Sequence, residues 1–489
     1  MNHPDENIYN VMKFGASGDG RTIETSFIQR AIDSCSGNGG GVVYFPSGTR
    51  FLTGTIYLES NVTLFVAENA VILGSRDLED YSDDTGICPY HPEPLDRCLI
   101  YAKDKKNICF EGNGIIDGQF REDFLDKHDN PLGTDSIQRP MLIRLENCSD
   151  IKMKDLTVKG AYSWCVHIKY CENIKLTGLT VLNDRQDGFN IESSKTITIS
   201  DCHLHCGDDG IALTTSAENK PLTDLTVSNC IISSRWAAIR LGPLSKGNFE
   251  NIVVSNCVLK NCGGGGIKIG MFEGATIKNC LFSSIIMDNV TSPVLIMNAV
   301  WTDIGSQDKN PPMMAAGVIK DIMFSDMIIH ASAGPVQPWD LHQYTDEEIN
   351  DFLLRPDRNS TIFLHGHKNG KLENLTFCNL KIDYPGGGIA ESSPFEDLVD
   401  MHEIDIHSHG YWTDDKTIWG IPIASAFYAR HVRSIDLSDV AISFRVPEQR
   451  PGIAISDSES VDMDRIRINR QKMKSTDLVQ QNSSEITIN

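Results

Sequence analysis

A short alternation of apolar and polar residues returns along this chain at a nearly constant interval, and that interval limits the folds open to it. The segments "NICFEGNGII", "DIKMKDLTV", "NIKLTGLTV", "TITISDCHL", "DLTVSNCII" and "NIVVSNCVL" each show the period of two expected of a strand with one buried face. With Ile151, Ile174, Ile197, Leu225 and Ile252 as phase markers, the steps are 23, 23, 28 and 27 residues. A β-rich unit of this length cannot bury its inner face alone and must stack on the next, which makes a solenoid. The Leu-x-Leu and Asn pattern of leucine-rich repeats is missing. The expected fold is therefore all-β, a parallel β-helix, with fainter copies of the repeat at "VIKDIMFSDMII", "KLENLTFCNLKI" and "VRSIDLSDVAI".

One stretch departs from the strand pattern. "ETSFIQRAIDSCSG" has helical spacing, with Phe27, Ile28, Ala31 and Ile32 on one side and Gly37 as the expected stop. A short N-terminal helix there would cap the end of the solenoid, where bare strand edges otherwise invite aggregation. No Pro/Gly/Ser-rich linker breaks the chain, so residues 1–489 are read as one domain. Loop insertions are expected near residues 78–100, 330–370 and 384–420.

Charge and cysteine content exclude several function classes. Lys+Arg 44 against Asp+Glu 66 gives a formal charge of -22, which repels nucleic acid and anionic membranes. The N-terminus "MNHPDENIYNVMKFG" lacks the basic-then-apolar build of a signal peptide, and no stretch approaches 18 continuous apolar residues. A cytoplasmic location is expected, or a secreted one if a leader was trimmed. The 14 cysteines contain no CxxC pair and read as free thiols. Cys148, Cys202, Cys230, Cys257 and Cys280 recur as "NC" or "DC", which suggests small side chains packed in phase.

The same phase argument gathers acids. Asp187 in "NDRQDGFNI" follows Ile174 by 13 residues, while Asp208 and Asp209 in "CGDDGIALTT" follow Ile197 by 11 and 12. Successive coils lie about 4.8 Å apart, so the three carboxylates should meet. Arg240 falls 15 residues after Leu225 and Lys268 falls 16 after Ile252, nearly the same column. Crowded carboxylates cannot all ionise freely, and one that keeps its proton can protonate a leaving oxygen while others activate water, the chemistry of glycosidic hydrolysis. Two other readings use the same residues. A lyase would hold Ca²⁺ on the acids and use Arg240 or Lys268 as the base for β-elimination; a carbohydrate-binding solenoid would leave them a solvated turn.

Taken in order, "FGASGDGRT", "GGGVVYFPSGTRFLTG", "RPMLIRLENCSDIKMKDLTVKGAYSWCVHIKYCENIKLTGLTV", "NDRQDGFNIESS", "CGDDGIALTT" and "WGIPIASAFYARHVRSIDLSDV" resemble the polygalacturonase family, glycoside hydrolase family 28, over residues 8–445. The resemblance implies a right-handed parallel β-helix and inverting hydrolysis of a pectin-type oligosaccharide or polysaccharide, with no cofactor and no metal; the expected intracellular location and the long insertions, which could wall off one end of a groove, point to exo action on short fragments. It implies that Asp208 is the general acid and that Asp187 and Asp209 position and deprotonate the water. The chain departs from the pattern at three places. "NDRQDG" stands for Asn-Thr-Asp-Gly, so Asn183 is displaced from Asp187. "RWAAIRLG" stands for Gly-His-Gly, placing Trp236 at the first glycine and Ala237 at the histidine. "GIKIG" stands for Arg-Ile-Lys, placing Lys268 at the arginine and Gly270 at the lysine.

The substrate-binding candidates follow from that comparison. Lys268 and Arg240 are the cations available for a sugar carboxylate. Trp164 and His167 in "SWCVHIKY" resemble the family's Trp-x-x-His element and offer either sugar contacts or packing, as does Trp236. His203 and His205 alternate along one strand without a completing ligand set, and His402, His407 and His409 carry no phase marker.

Overall fold

The structure is a computed structural model, and it describes residues 7–85, 97–120, 140–300, 314–332, 362–388 and 424–489. It bears out the repeat: the chain is a right-handed parallel β-helix with a short N-terminal helix. Contacts divide it into two compact units, Met1–Ile211 with Asp224–Cys230, and Ala212–Thr223 with Ile231–Asn489. The expected insertions at 330–370 and 384–420 fall largely outside the described residues, as does the middle of that at 78–100, and His402, His407 and His409 lie outside them too.

In the first unit each coil contributes three strands. One sheet stacks Ile56–Tyr57, Cys98–Lys103, Met141–Glu146, Val166–Lys169 and Phe189–Glu192 in parallel. Ile56, Ile100, Ile143, Val166 and Phe189 share one register and are fully buried. A second column aligns Ile108, Ile151, Ile174 and Ile197, and a third aligns Ile116, Val158, Val181 and Leu204. The phase markers Ile151, Ile174 and Ile197 therefore stand directly above one another. Burial of such side chains stabilises each by about 1.5–3 kcal/mol, and the identical spacing makes the burial repeat.

The corners between strands are held by polar residues in the left-handed region. Asp104, Asn147, Asp150, Asn173 and Asp201 all have positive φ, a conformation that Asn and Asp tolerate best among side-chain-bearing residues. Their side chains bond from coil to coil: Asn147 donates to Asp104, Asn173 to Asp150, and Asn229 to Asp201.

The helix spans Thr25–Gly37 and packs against the first strands, burying Ile28, Ala31, Ile32 and Cys35. Phe27 is only half-buried, with the Arg30 guanidinium over its ring at 4.9 Å. Gly37 is the last helical residue rather than the stop: Asn38 caps the helix, and the left-handed turn is made by Gly39 and Gly40.

The second unit repeats the plan with longer strands. Phe249–Cys262, Thr276–Val290, Val318–Ala331, Leu372–Tyr384 and Ser434–Phe444 pair in parallel, and Phe282, Phe324 and Phe377 stack at 5.0 and 4.8 Å in its core. The cysteines among the described residues are free. Cys202 and Cys230 meet thiol to thiol as the phase predicts, but the set does not form one column: the Cys148 N–H donates to Cys171 Sγ at 3.3 Å, and Cys280 pairs in register with Ile252.

Candidate active site

Asp187, Asp208 and Asp209 come together in the first unit, with one carboxylate oxygen from each lying within 4.8 Å of the others. Asp187 sits in the turn after Thr180–Asn183 and before Phe189–Glu192; Asp208 and Asp209 occupy the equivalent turn one coil on. Two glycines allow these turns to close. A Cβ on Gly188 would lie 2.7 Å from both Cys206 Sγ and the Gly210 carbonyl, and one on Gly207 would lie 2.1 Å from the Asp184 carbonyl. Asn183 braces the first turn, its Nδ2 donating to the carbonyls of Ser163 at 2.9 Å and Asp187 at 3.0 Å.

The three acids differ in environment. Asp187 is 5% exposed and Asp209 3%, while Asp208 is half-buried. Asp187 Oδ1 accepts the Asp209 N–H at 3.2 Å, and Asp187 Oδ2 accepts Asn190 Nδ2 at 2.8 Å. Donors of this kind favour the charged form of a carboxylate. Beneath them, burial first, then the Cys165 thiol and the three carboxylates, push the Cys206 thiol well above its usual range. That thiol stays protonated and inert.

Beside the acids runs a polar strip, buried except at its Lys103 end. Register places Tyr101, Arg144, His167 and Asn190 in one column and Lys103, Glu146, Lys169 and Glu192 in the next. The second column alternates in charge, with Lys103 to Glu146 at 3.3 Å and Lys169 to Glu192 at 3.0 Å. Arg144 Nη2 joins Glu146 at 3.2 Å. His167, 1% exposed, has Nε2 3.3 Å from Glu192 Oε2. Burial lowers the His167 pKa to about 4 despite that bond, so the ring is neutral. Burial opposes the Lys169 charge too, but Glu192 more than offsets it and raises the ammonium above its ordinary value. Lys169 Nζ binds Glu192 Oε1, and the other carboxylate oxygen, Oε2, faces His167 Nε2.

Trp164 is buried against Cys98, Tyr101 and Met141 and meets the His167 ring edge-on at 4.9 Å. His203 and His205 lie on the exposed face of their strand, where His205 Nε2 is 3.7 Å from Asp184.

Arg240 and Lys268 belong to the second unit, where they are register partners on Ala237–Ser245 and Gly265–Met271 and are both buried. Lys268 Nζ sits 4.2 Å over the Trp236 ring, a cation–π contact. Gly264 admits the indole, since a Cβ there would meet it at 2.6 Å. Ala237 is fully buried and brings no imidazole.

The profile described as glycosyl hydrolases family 28 matches residues 90–341, which is more than half of the chain. The chain belongs to glycosyl hydrolase family 28. It is thus an O-glycosyl hydrolase. Residues 8–73 match a second profile, rhamnogalacturonase A/epimerase, pectate lyase-like. The family 28 chain is 29% identical over 343 residues to a probable polygalacturonase of Vitis vinifera, covering 65% of this chain and 68% of that one. It is 23% identical over 432 residues to an exo-poly-alpha-D-galacturonosidase of Dickeya chrysanthemi, covering 76% and 71%. A family 28 exopolygalacturonase of Yersinia enterocolitica superposes with a TM-score of 0.65 at 17% identity, covering 98% of this chain and 78% of that one.

Sequence reasoning named the three acids but passed over Asn190, Glu192, Lys169 and Arg144. The signal was present: "IRLE", "VHIK" and "FNIE" alternate buried apolar residues with polar ones at the same phase of three coils.

Proposed function

We propose that this enzyme hydrolyses the galacturonide linkages of pectin-type chains, with inversion, acting from one end on short fragments. The cluster of Asp187, Asp208 and Asp209 carries the reading. Asp208, the most open of the three, donates its proton to the leaving oxygen. Asp187 and Asp209, linked through the Asp209 N–H, draw a proton from the attacking water. Arg240 and Lys268 are assigned to a sugar carboxylate. The exo preference is supported by relatives named for exo action.

The spacing makes stereochemistry the informative assay. Acid and base in an inverting glycosidase usually stand about 6.5–9.5 Å apart, leaving room for water between them. Here the acids are closer, so the water enters beside the Asp187 and Asp209 pair rather than between opposed groups. Following a galacturonic acid trimer by proton NMR should show the β-anomer first and monomer released from one end. First release of the α-anomer would reject inversion. Products with ultraviolet absorbance that disappear with EDTA would replace hydrolysis by the lyase reading.

A further inference from the structure

Asp187 is gripped at both oxygens, and the two grips differ in kind. Oδ1 accepts a backbone N–H, which every sequence would supply, whereas Oδ2 accepts the side-chain amide of Asn190, which is specific to this one. Asn190 stands three residues along, on Phe189–Glu192, and is 3% exposed. Because its Nδ2 is committed to Asp187, its Oδ1 must face the other way, and there it is buried with no hydrogen-bond partner among the described residues. A buried acceptor left unmet is destabilising, so packing alone does not explain an amide at this position.

We propose that Asn190 is a positioning residue that aims Asp187 and keeps it charged, so that the proton held among the crowded acids rests on Asp208. The proposal depends on the hydrolytic reading of the three acids. Within the first unit the titratable groups around Asp187 include Asp208, Asp209 and the Cys206 thiol from the following coil, and Cys165 from the preceding one. His167 is the register partner of Asn190, with Glu192 and Lys169 behind it; Asp184 and Arg185 lie in the same turn as Asp187. The Asn190 amide is bonded directly to Asp187 Oδ2, 2.8 Å away. Its loss should therefore be read at Asp187 itself.

Two variants move the pH–rate profile in opposite senses. Asn190→Leu keeps the volume and removes the donor, so Asp187 accepts a proton more readily. The acid limb of kcat/KM should shift upward by about one pH unit, with kcat falling at least tenfold and KM changing little. Asn190→Asp is isosteric and shares one proton with Asp187. Its activity should fall as pH rises and that proton is lost, moving the alkaline limb downward. Thermal unfolding of both variants reports whether they fold. Limbs that coincide with wild type in both variants, whatever the loss of rate, would overturn the positioning role. A wild type inactive on galacturonides would instead overturn the hydrolase reading beneath it.

Discussion

Asp209 reaches Asp187 through its backbone: the N–H donates to Oδ1 at 3.2 Å across 22 residues of chain. The contact exists because parallel coils repeat their register, which lifts one acidic turn onto the next. The geometry of the acid cluster is therefore a by-product of the same stacking that buries the isoleucine columns. A change that disturbs coil spacing at this corner should damage chemistry before it unfolds the protein.

Gly188 gives the sharpest case. Alanine there places a methyl group 2.7 Å from Cys206 Sγ and from the Gly210 carbonyl, and the turn must shift. Gly188→Ala should lower stability by about 1–3 kcal/mol. It should reduce kcat by about 10²-fold, because a misplacement near 1 Å carries that penalty. Urea unfolding and steady-state kinetics on one preparation check both effects.

His167 couples stability to pH. Burial lowers its pKa from 6.5 to about 4, so the folded state binds the proton less readily than the unfolded chain. The resulting stability is fully present above about pH 6.5 and is lost as pH falls towards 4, amounting to about 3 kcal/mol. Unfolding midpoints of wild type should drop across that window. His167→Phe should flatten the drop, although its stability at pH 7 is lower because Glu192 loses a partner.

The repeat was legible because a period of two at steps of 23 leaves few other folds, and Ile151, Ile174 and Ile197 do share a register. The acids were legible for the same reason, since phase counted from those markers brings Asp187, Asp208 and Asp209 together. Corner chemistry was harder to read. Gly37 looked like a helix stop, yet the turn needing positive φ falls at Gly39 and Gly40. Cysteines sharing an "NC" or "DC" context did not all share one column because the same dipeptide serves different corners of the coil. The pairing of His167 with Glu192 escaped notice because it joins residues 25 apart through side-chain geometry, which periodicity does not encode.

Lys268 is assigned to a sugar carboxylate, and its Nζ lies over the Trp236 ring. Lys268→Met keeps the stem and removes the charge. KM for galacturonides should rise about ten- to hundredfold, the worth of a hydrogen bond to a charged group. Methyl-esterified substrates, which lack that carboxylate charge, should be affected far less. An equal loss on both substrate types would remove the assignment.

Hydrolysis at the acid cluster turns on Asp208 as proton donor. The direct measurement is kcat for wild type and Asp208→Asn on a galacturonic acid trimer, alongside the affinity of the variant for the same trimer. A loss of about 10³-fold or more in kcat with binding retained is the expected result, in line with the weight of a general acid together with its electrostatic surroundings. Turnover by Asp208→Asn within a few-fold of wild type would contradict it.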